Sequence, residues 1–306
     1  MRVFITGGAG YVGSAVTVRL SAAGHEVLGL VRTDERAERL RRLGAEPVLG
    51  DIRDPASFIR PAADCDAVVH LAQAQGADRA AVDAAAVEAF IEAGDGSSRL
   101  RAFVYTSVLF VLGDTGAGPA AEAHAATPPP FAAARAQIER RVLESDDGSL
   151  VRAVIRPGMV YGGGAGGSVS ELFRGAVEEG AATYVGGGRN RWSLVHREDA
   201  AELFRLVVER RASGYFHAAD GHPLAVREVA ESASTAAGAG GRTKSWDLEE
   251  ARSVLGAFAD ALCLDQVADA SRARALGWAP ARPSFDAAAA FAEWEREERA
   301  DVQRFG

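Results

Sequence analysis

The segment Thr6-Gly7-Gly8-Ala9-Gly10-Tyr11-Val12-Gly13, set between a short apolar strand and a helix, constrains this chain more than any other. In a strand–turn–helix unit the three glycines of a Gly-x-x-Gly-x-x-Gly run have separate tasks. Gly7 allows the tight turn, Gly10 lets backbone come close to a pyrophosphate, and Gly13 lets the helix pack on the strand. The helix start then offers free N–H groups and the positive end of its dipole to phosphates. The segment therefore predicts a dinucleotide site, with a purely structural tight turn as the alternative. Such a turn opens a parallel, doubly wound α/β fold.

The rest of the first half keeps that rhythm. Strands are expected at Arg2–Thr6, Glu26–Val31, Glu46–Leu49, Ala67–Leu71, Ala102–Ser107 and Leu150–Arg156. Helices are expected at Tyr11–Ala23, Glu35–Leu43, about Asp78–Ala93 and roughly Phe131–Glu144. Alternation of this kind implies a parallel sheet covered on both faces. Residues 1–160 read as a Rossmann dinucleotide-binding domain. Residues 161–306 read mainly as a smaller α/β substrate lobe, with some segments returning to the first domain. That half holds a Gly-rich loop (Gly162–Gly167), helices near Ser170–Glu179 and Glu198–Arg210, and a short strand near Tyr215–Ala218. The Gly/Ala/Pro-rich stretch Gly113–Pro130 reads as a loop beside the site. The Gly clusters at 162–167 and 186–188 lack a following Lys-Ser/Thr and are not phosphate loops.

Composition excludes several functions. The formal charge of −8 argues against nonspecific nucleic-acid binding and a basic membrane-surface patch. No apolar run reaches the length of a membrane span, and strand residues follow Met1 with no secretory signal between. The two cysteines, Cys65 and Cys263, have no metal-type spacing and read as free thiols, which fits a reducing cytoplasm. No metal site is expected.

The end of the second strand bears on the choice of cofactor. An acidic residue there takes the ribose 2′-hydroxyl of NAD. Here the chain reads Leu30-Val31-Arg32-Thr33-Asp34-Glu35-Arg36. Arg32 can grip a 2′-phosphate with a bidentate fork and stack on adenine, so NADP(H) is favoured. The alternative is that Arg32 and Arg36 are ordinary solvated residues at a helix start. Asp34 reads as the cap of that helix.

Six ordered segments make the chain resemble the extended short-chain dehydrogenase/reductases, the nucleotide-sugar epimerases and dehydratases, over nearly its whole length. They are the glycine motif (Gly7, Gly10, Gly13), Asp51-Ile52, His70-Leu71-Ala72-Gln73, Arg156-Pro157-Gly158-Met159-Val160-Tyr161-Gly162, Val195-His196-Arg197-Glu198-Asp199-Ala200 and Leu276-Gly277-Trp278-Ala279-Pro280. The resemblance implies that Gly7, Gly10, Tyr11 and Val12 hold the pyrophosphate. Asp51 and Ile52 would bracket adenine. Leu71, Ala72 and Gln73 would line the turn below the cofactor, and Pro157, Gly158, Met159 and Val160 would orient the nicotinamide.

The same resemblance exposes a departure. The family's catalytic Tyr-x-x-x-Lys falls on Phe131-Ala-Ala-Ala-Arg135, and its serine falls on Val108, with Ser107 one place early. Phe131 has no proton to move. Arg135 can hydrogen-bond the nicotinamide ribose and supply a positive field but does not titrate near neutral pH. Ser107 either binds a carbonyl or is a plain strand-end hydroxyl. The sequence assigns no residue as the catalytic acid.

Ser107, Val108, Phe131, Tyr161 and Trp192 are candidate substrate contacts. Tyr161 is the tyrosine nearest the nicotinamide by motif, packing being its alternative role. His124 and His196 are weaker candidates, one an exposed loop residue and the other an organiser of the lobe junction.

The missing triad resembles that of the atypical angucyclinone ketoreductases of antibiotic pathways, such as the one of simocyclinone biosynthesis. It implies an NADPH-dependent ketoreductase acting on a flat aromatic ketone of the polyketide type, with the proton drawn from substrate or water. A non-catalytic NADP(H)-binding sensor and a sugar epimerase or dehydratase remain open, as do monomer and homodimer.

Overall fold

The computed structural model describes residues 1–116, 118–144, 150–164 and 166–305. Residues 117 and 165, which fall inside the two predicted loops, thus lie outside the described residues. In chain order the first half runs β1 (Arg2–Thr6), α1 (Tyr11–Ala22), β2 (Glu26–Val31), α2 (Asp34–Arg42), β3 (Glu46–Leu49), α3 (Ile59–Ala63), β4 (Ala67–His70), α4 (Arg79–Gly96), β5 (Ala102–Thr106), α5 (Ala133–Glu144) and β6 (Val151–Pro157). It continues with β7 (Met159–Tyr161), α6 (Ser168–Glu179), β8 (Ala182–Val185), β9 (Arg191–Trp192), β10 (Leu194–His196), α7 (Arg197–Arg210), β11 (Gly214–Ala218), β12 (Leu224–Ala225), α8 (Val226–Ala236), β13 (Thr243–Trp246), α9 (Leu248–Leu255), α10 (Phe258–Leu262), α11 (Ser271–Ala275) and α12 (Ala287–Phe305).

Seven strands form one parallel sheet in the order β11-β6-β5-β4-β1-β2-β3. Order reverses between β1 and β4, the place where open α/β sheets leave a crevice at the carboxyl ends of their strands. The strands are apolar on both faces because both are covered. One face packs Val16 and Leu20 of α1, Leu40 of α2 and Leu203, Phe204 and Val207 of α7 on Val3, Ile5, Val69, Val104 and Ile155. The other packs Phe58, Phe90, Ile91, Ile138 and Val142 on Phe4, Val68, Phe103 and Val154.

The strand expected near Tyr215–Ala218 is an edge of this main sheet, pairing with β6, and α7 covers it. Three buried residues in a row, Phe216, His217 and Ala218, make it a two-faced strand. A separate core gathers β8, α6 and α8 around Leu172, Phe173, Tyr184, Trp192, Val229 and Trp294.

At α2 the cap differs from the sequence expectation. Thr33 Oγ1 accepts the Arg36 N–H at 3.3 Å, and Asp34 is the first helical residue. There its carboxylate still favours the positive helix end. Among the described residues both cysteines are free, and no helix is long and apolar enough to cross a membrane.

Candidate active site

The glycine turn behaves as its spacing demands. Gly7 has φ +70°, the left-handed region that disfavours side chains. A Cβ on Gly13 would stand 2.0 Å from Gly7 O, so only glycine lets α1 sit this close to the turn. Gly10 is the N-cap of α1, with no side-chain cap and no acid in the first turn. The first N–H groups of α1 and its dipole are therefore open to an anion.

Two cavities meet at this turn. The first, of about 390 Å³, is lined by Gly7, Gly10, Val31, Arg32, Arg36, Asp51, Ile52, Arg53, Leu71, Ala72 and Gln73. Arg32 and Arg36 are exposed there, and Asp51 folds back to accept the Arg53 N–H at 3.0 Å. The second, of about 300 Å³, runs from Gly10, Tyr11 and Val12 past Leu71 and Gln73. It ends among Thr106, Ser107, Val108, Phe131, Arg135, Pro157, Gly158 and Val160. The structure thus brings together the residues assigned from sequence to pyrophosphate, adenine, nicotinamide and triad positions along one continuous groove.

Three sequence candidates, Tyr161, Trp192 and Met159, do not reach it. Tyr161 is turned away: its hydroxyl donates to Ser284 O at 3.2 Å, and its ring meets His196 and Phe285 edge-on. It belongs to the second core, where burial pushes its phenol well above the usual range. Tyr161 is corrected from substrate contact to packing residue. Trp192 donates its indole N–H to Leu262 O at 3.2 Å; it lines a small annex of about 50 Å³ next to Gly158, with Val108, Phe110 and Met159, and a separate cavity of about 440 Å³ with Tyr184 and Phe258, but not the main cleft. Met159 likewise faces that annex rather than the main cleft. His124 is exposed. His196 caps α7 by accepting the Glu198 N–H at Nδ1, which leaves Nε2 to donate to Glu293 at 2.9 Å.

At the closed end of the cleft, Phe131 packs against Phe110 and Phe258 with ring centroids 6.1 and 5.1 Å away. Arg135, in the first turn of α5, donates to Thr106 O at 2.9 Å and lies 6.0 Å over the Tyr105 ring. Ser107 is 1% exposed, and neither its Oγ nor Thr106 Oγ1 has a hydrogen-bond partner. A buried hydroxyl without a partner costs free energy, so both are available to a ligand oxygen. Lys244, the chain's one lysine, lies on β13 beside β8, outside this cleft.

Sequence reasoning missed what stands behind Arg135. Thr6 Oγ1 accepts the Ala72 N–H at 3.1 Å and contacts His70 Nδ1 at 2.6 Å. Its own hydrogen is thus left for Nδ1, and His70 Nε2 donates to Asp83 Oδ1 at 3.0 Å. Tyr105 donates to Asp83 Oδ2 at 2.6 Å. Burial lifts the Asp83 carboxyl, but the hydrogen bond from His70, with the Arg135 charge and the Tyr105 bond, outweighs it and holds the acid below its ordinary value. Burial drives the Tyr105 phenol far up. The charged form of Asp83 is thus locked in place, and Tyr105 is a donor to it rather than a free acid. Arg79 and Asp83, four apart on α4, share the helix face that lines the cleft. That i,i+4 spacing was the available signal.

Comparison with known proteins gives the family and the fold. The model of the NAD dependent epimerase/dehydratase family matches residues 3–216. A 4-hydroxy-2-methyl-3-oxo-4-farnesyl-3,4-dihydroquinoline-1-oxide ketoreductase of Stigmatella aurantiaca is 30% identical over 74% of this chain and 70% of its own. A 3-diazoavenalumate denitrifying reductase of a Streptomyces species is 30% identical over 93% of this chain and 98% of its own. In fold, a dTDP-glucose 4,6-dehydratase from Streptomyces venezuelae with NAD and TYD bound superposes with a TM-score of 0.80 at 22% identity, covering 99% and 98% of the two chains.

Proposed function

From the premise that the chain belongs to the NAD dependent epimerase/dehydratase family, we propose that it is an NADP(H)-dependent ketoreductase working without a tyrosine acid. Its substrate is a flat aromatic ketone, of the kind polyketide antibiotic pathways make. The observation that carries the reading is the closed end of the cleft. Phe131, Val108 and Arg135 stand there, and the one lysine is elsewhere.

The residues present fit a dinucleotide. The open start of α1 takes the pyrophosphate between Gly10 and Val12. Arg32 and Arg36 take the 2′-phosphate. Asp51 and Ile52 flank the adenine, and Pro157, Gly158 and Val160 face the nicotinamide. NADPH, when bound, supplies the hydride that reaches the carbonyl carbon.

The chain's own groups do the rest. Arg135, fixed by Thr106 O and by Tyr105, presents a permanent positive charge to the oxygen on which negative charge develops. Ser107 Oγ, free of partners, donates to the same oxygen. The proton comes from an acidic hydroxyl of the substrate or from water.

Magnitudes support the economy of such a site. A general acid contributes about 10²–10⁴-fold, whereas holding donor and acceptor together can remove about 7–11 kcal/mol of the barrier. Reductase relatives and the aromatic wall Phe110–Phe131–Phe258 support reduction over epimerisation.

The test is a titration with NADPH and with NADH, followed by nicotinamide fluorescence, with and without a hydroxylated polycyclic aromatic ketone. The expected result is tighter NADPH binding and NADPH oxidation only when the ketone is present. Binding with no turnover on any such ketone would make the protein a cofactor sensor, and tightly held NAD would make it an epimerase or dehydratase.

A further inference from the structure

The cleft carries an excess of positive charge that the hydride chemistry does not use. Its lining includes two guanidinium groups, Arg79 and Arg135, and one carboxylate, Asp83. Both oxygens of Asp83 are already taken, by His70 and by Tyr105. Arg135, held by Thr106 O and the Tyr105 ring, is assigned to the reacting oxygen. Arg79 has no hydrogen-bond or ion-pair partner for its side chain among the described residues. Its guanidinium lies 5.4 Å over the ring of Phe131.

Its position adds to the argument. Arg79 is the first residue of α4, whose first turn holds no acid, and Asp78 beside it is paired with Arg53. A cation at the positive end of a helix is unfavourable unless an anion joins it. In the same cleft the buried Ser107 Oγ stands without a partner. Phe131 lines that cleft too, backed by the rings of Phe110 and Phe258.

We infer that Arg79 is a specificity residue that recognises an acidic group, a carboxylate or an ionised enol or phenol, on the aromatic substrate. The substrate ring lies along Phe131, its reacting oxygen meets Ser107 and Arg135, and its anionic substituent meets Arg79. A guanidinium already stacked over an aromatic ring is pre-oriented for that role. The inference rests on the ketoreductase reading and narrows it, from aromatic ketones at large to aromatic keto acids and their acidic hydroxy analogues.

Calorimetry tests it without turnover, using 2-naphthoate and the neutral 2-naphthamide as probes against the full chain with NADP⁺, and NADP⁺ alone as a separate titrant. The wild type should prefer the acid by about 10- to 100-fold, the range of one charge-assisted contact. Arg79→Gln should abolish the preference and leave NADP⁺ affinity within about twofold, and Arg79→Lys should restore part of it. Phe131→Leu should weaken both probes alike. Equal binding of the two probes, or binding of neither, overturns the inference. So does Arg79→Gln weakening NADP⁺ while sparing the preference, which would make Arg79 a ligand of the cofactor's phosphates. Failure of NADP⁺ to bind at all refutes the ketoreductase reading instead, and is read in a titration independent of the probes.

Discussion

At the scale of single residues, the proposed site departs from its family by substitution rather than by rearrangement. Phe131, two residues before α5, and Arg135, in its first turn, line the same cleft as Ser107 and Val108. On the proposed reading a fixed cation stands where the family carries a titrating pair, and the chemistry depends on position and field more than on proton transfer. The proposed preference for NADP(H) rests on residues as local. Arg32 stands exposed in the adenosine cavity with no acid at the end of β2. Arg32→Ala is expected to raise the Michaelis constant for NADPH about 10- to 100-fold, the worth of a charge-assisted contact, and to leave that for NADH nearly unchanged. Initial rates with both cofactors check this, and a parallel rise in the two constants would remove Arg32 from the 2′-phosphate. Tyr161 shows where residue-level reading ended. Its place in an Arg-Pro-Gly-x-x-Tyr-Gly run was legible, but the direction of its side chain depends on Ser284 and Phe285, more than 120 residues away. Asp83 was illegible for a similar reason, because its partners His70 and Tyr105 come from other strands.

Elements were legible where they obey local rules. Residues β1, β2 and β3 were read with their observed ends because apolar runs there are bounded by glycines or charges. The second core was not, since its strands β9 and β12 are two residues long and meet only through long-range pairing, Leu224 with Trp192 and Ala225 with Arg191. Close approach of α1 to its turn was legible and gives a direct prediction. Gly13→Ala gains up to about 1 kcal/mol of helix propensity, yet its methyl would lie 2.0 Å from Gly7 O. That contact is backbone on backbone and cannot be relieved by a rotamer, so α1 must shift. Lowered thermal stability and a cofactor affinity reduced at least tenfold are expected in calorimetry. A variant as stable and as tight as the parent would show that the turn is not the pyrophosphate cradle.

α12 also reaches the site from a distance. Glu293 accepts from Gly163 N and from His196, both at 2.9 Å, and Tyr11 in turn donates to Gly162 O at 3.0 Å. Glu293→Ala should cost about 1 kcal/mol, since the carboxylate is partly exposed and its bonds are screened. Faster amide exchange at Gly163 should accompany that loss, and unchanged exchange there would uncouple α12 from the cofactor turn.

For the whole molecule, two buried groups of β11 and the loop after it set opposing dependences on pH. Burial pushes the Asp220 carboxyl from 3.8 up to about 6, and burial, with the Arg156 charge, drives His217 from 6.5 down to about 4. Asp220 is 2% exposed, and its Oδ2 and His217 Nε2 both lack partners. Between pH 4 and 6 the folded state holds a proton on Asp220 that the unfolded chain releases, so this acid's contribution to stability is full below pH 3.8 and is lost as pH rises through 6. His217 works the other way. The unfolded chain takes up a proton below pH 6.5 that the folded state refuses until about pH 4, so stability falls with acid. In the parent protein the two slopes nearly cancel. Asp220→Asn removes one and keeps the acceptor for the His222 N–H, bonded at 2.7 Å. The stability of the variant relative to the parent should therefore grow from nothing near pH 4 to at most roughly 3 kcal/mol near pH 7, the free-energy equivalent of the Asp220 displacement. His217 cancels from that difference because it is present in both proteins. Urea midpoints at pH 4, 5, 6 and 7 read the effect directly, and parallel curves for the two proteins would mean that Asp220 ionises in the folded state as freely as in the unfolded chain.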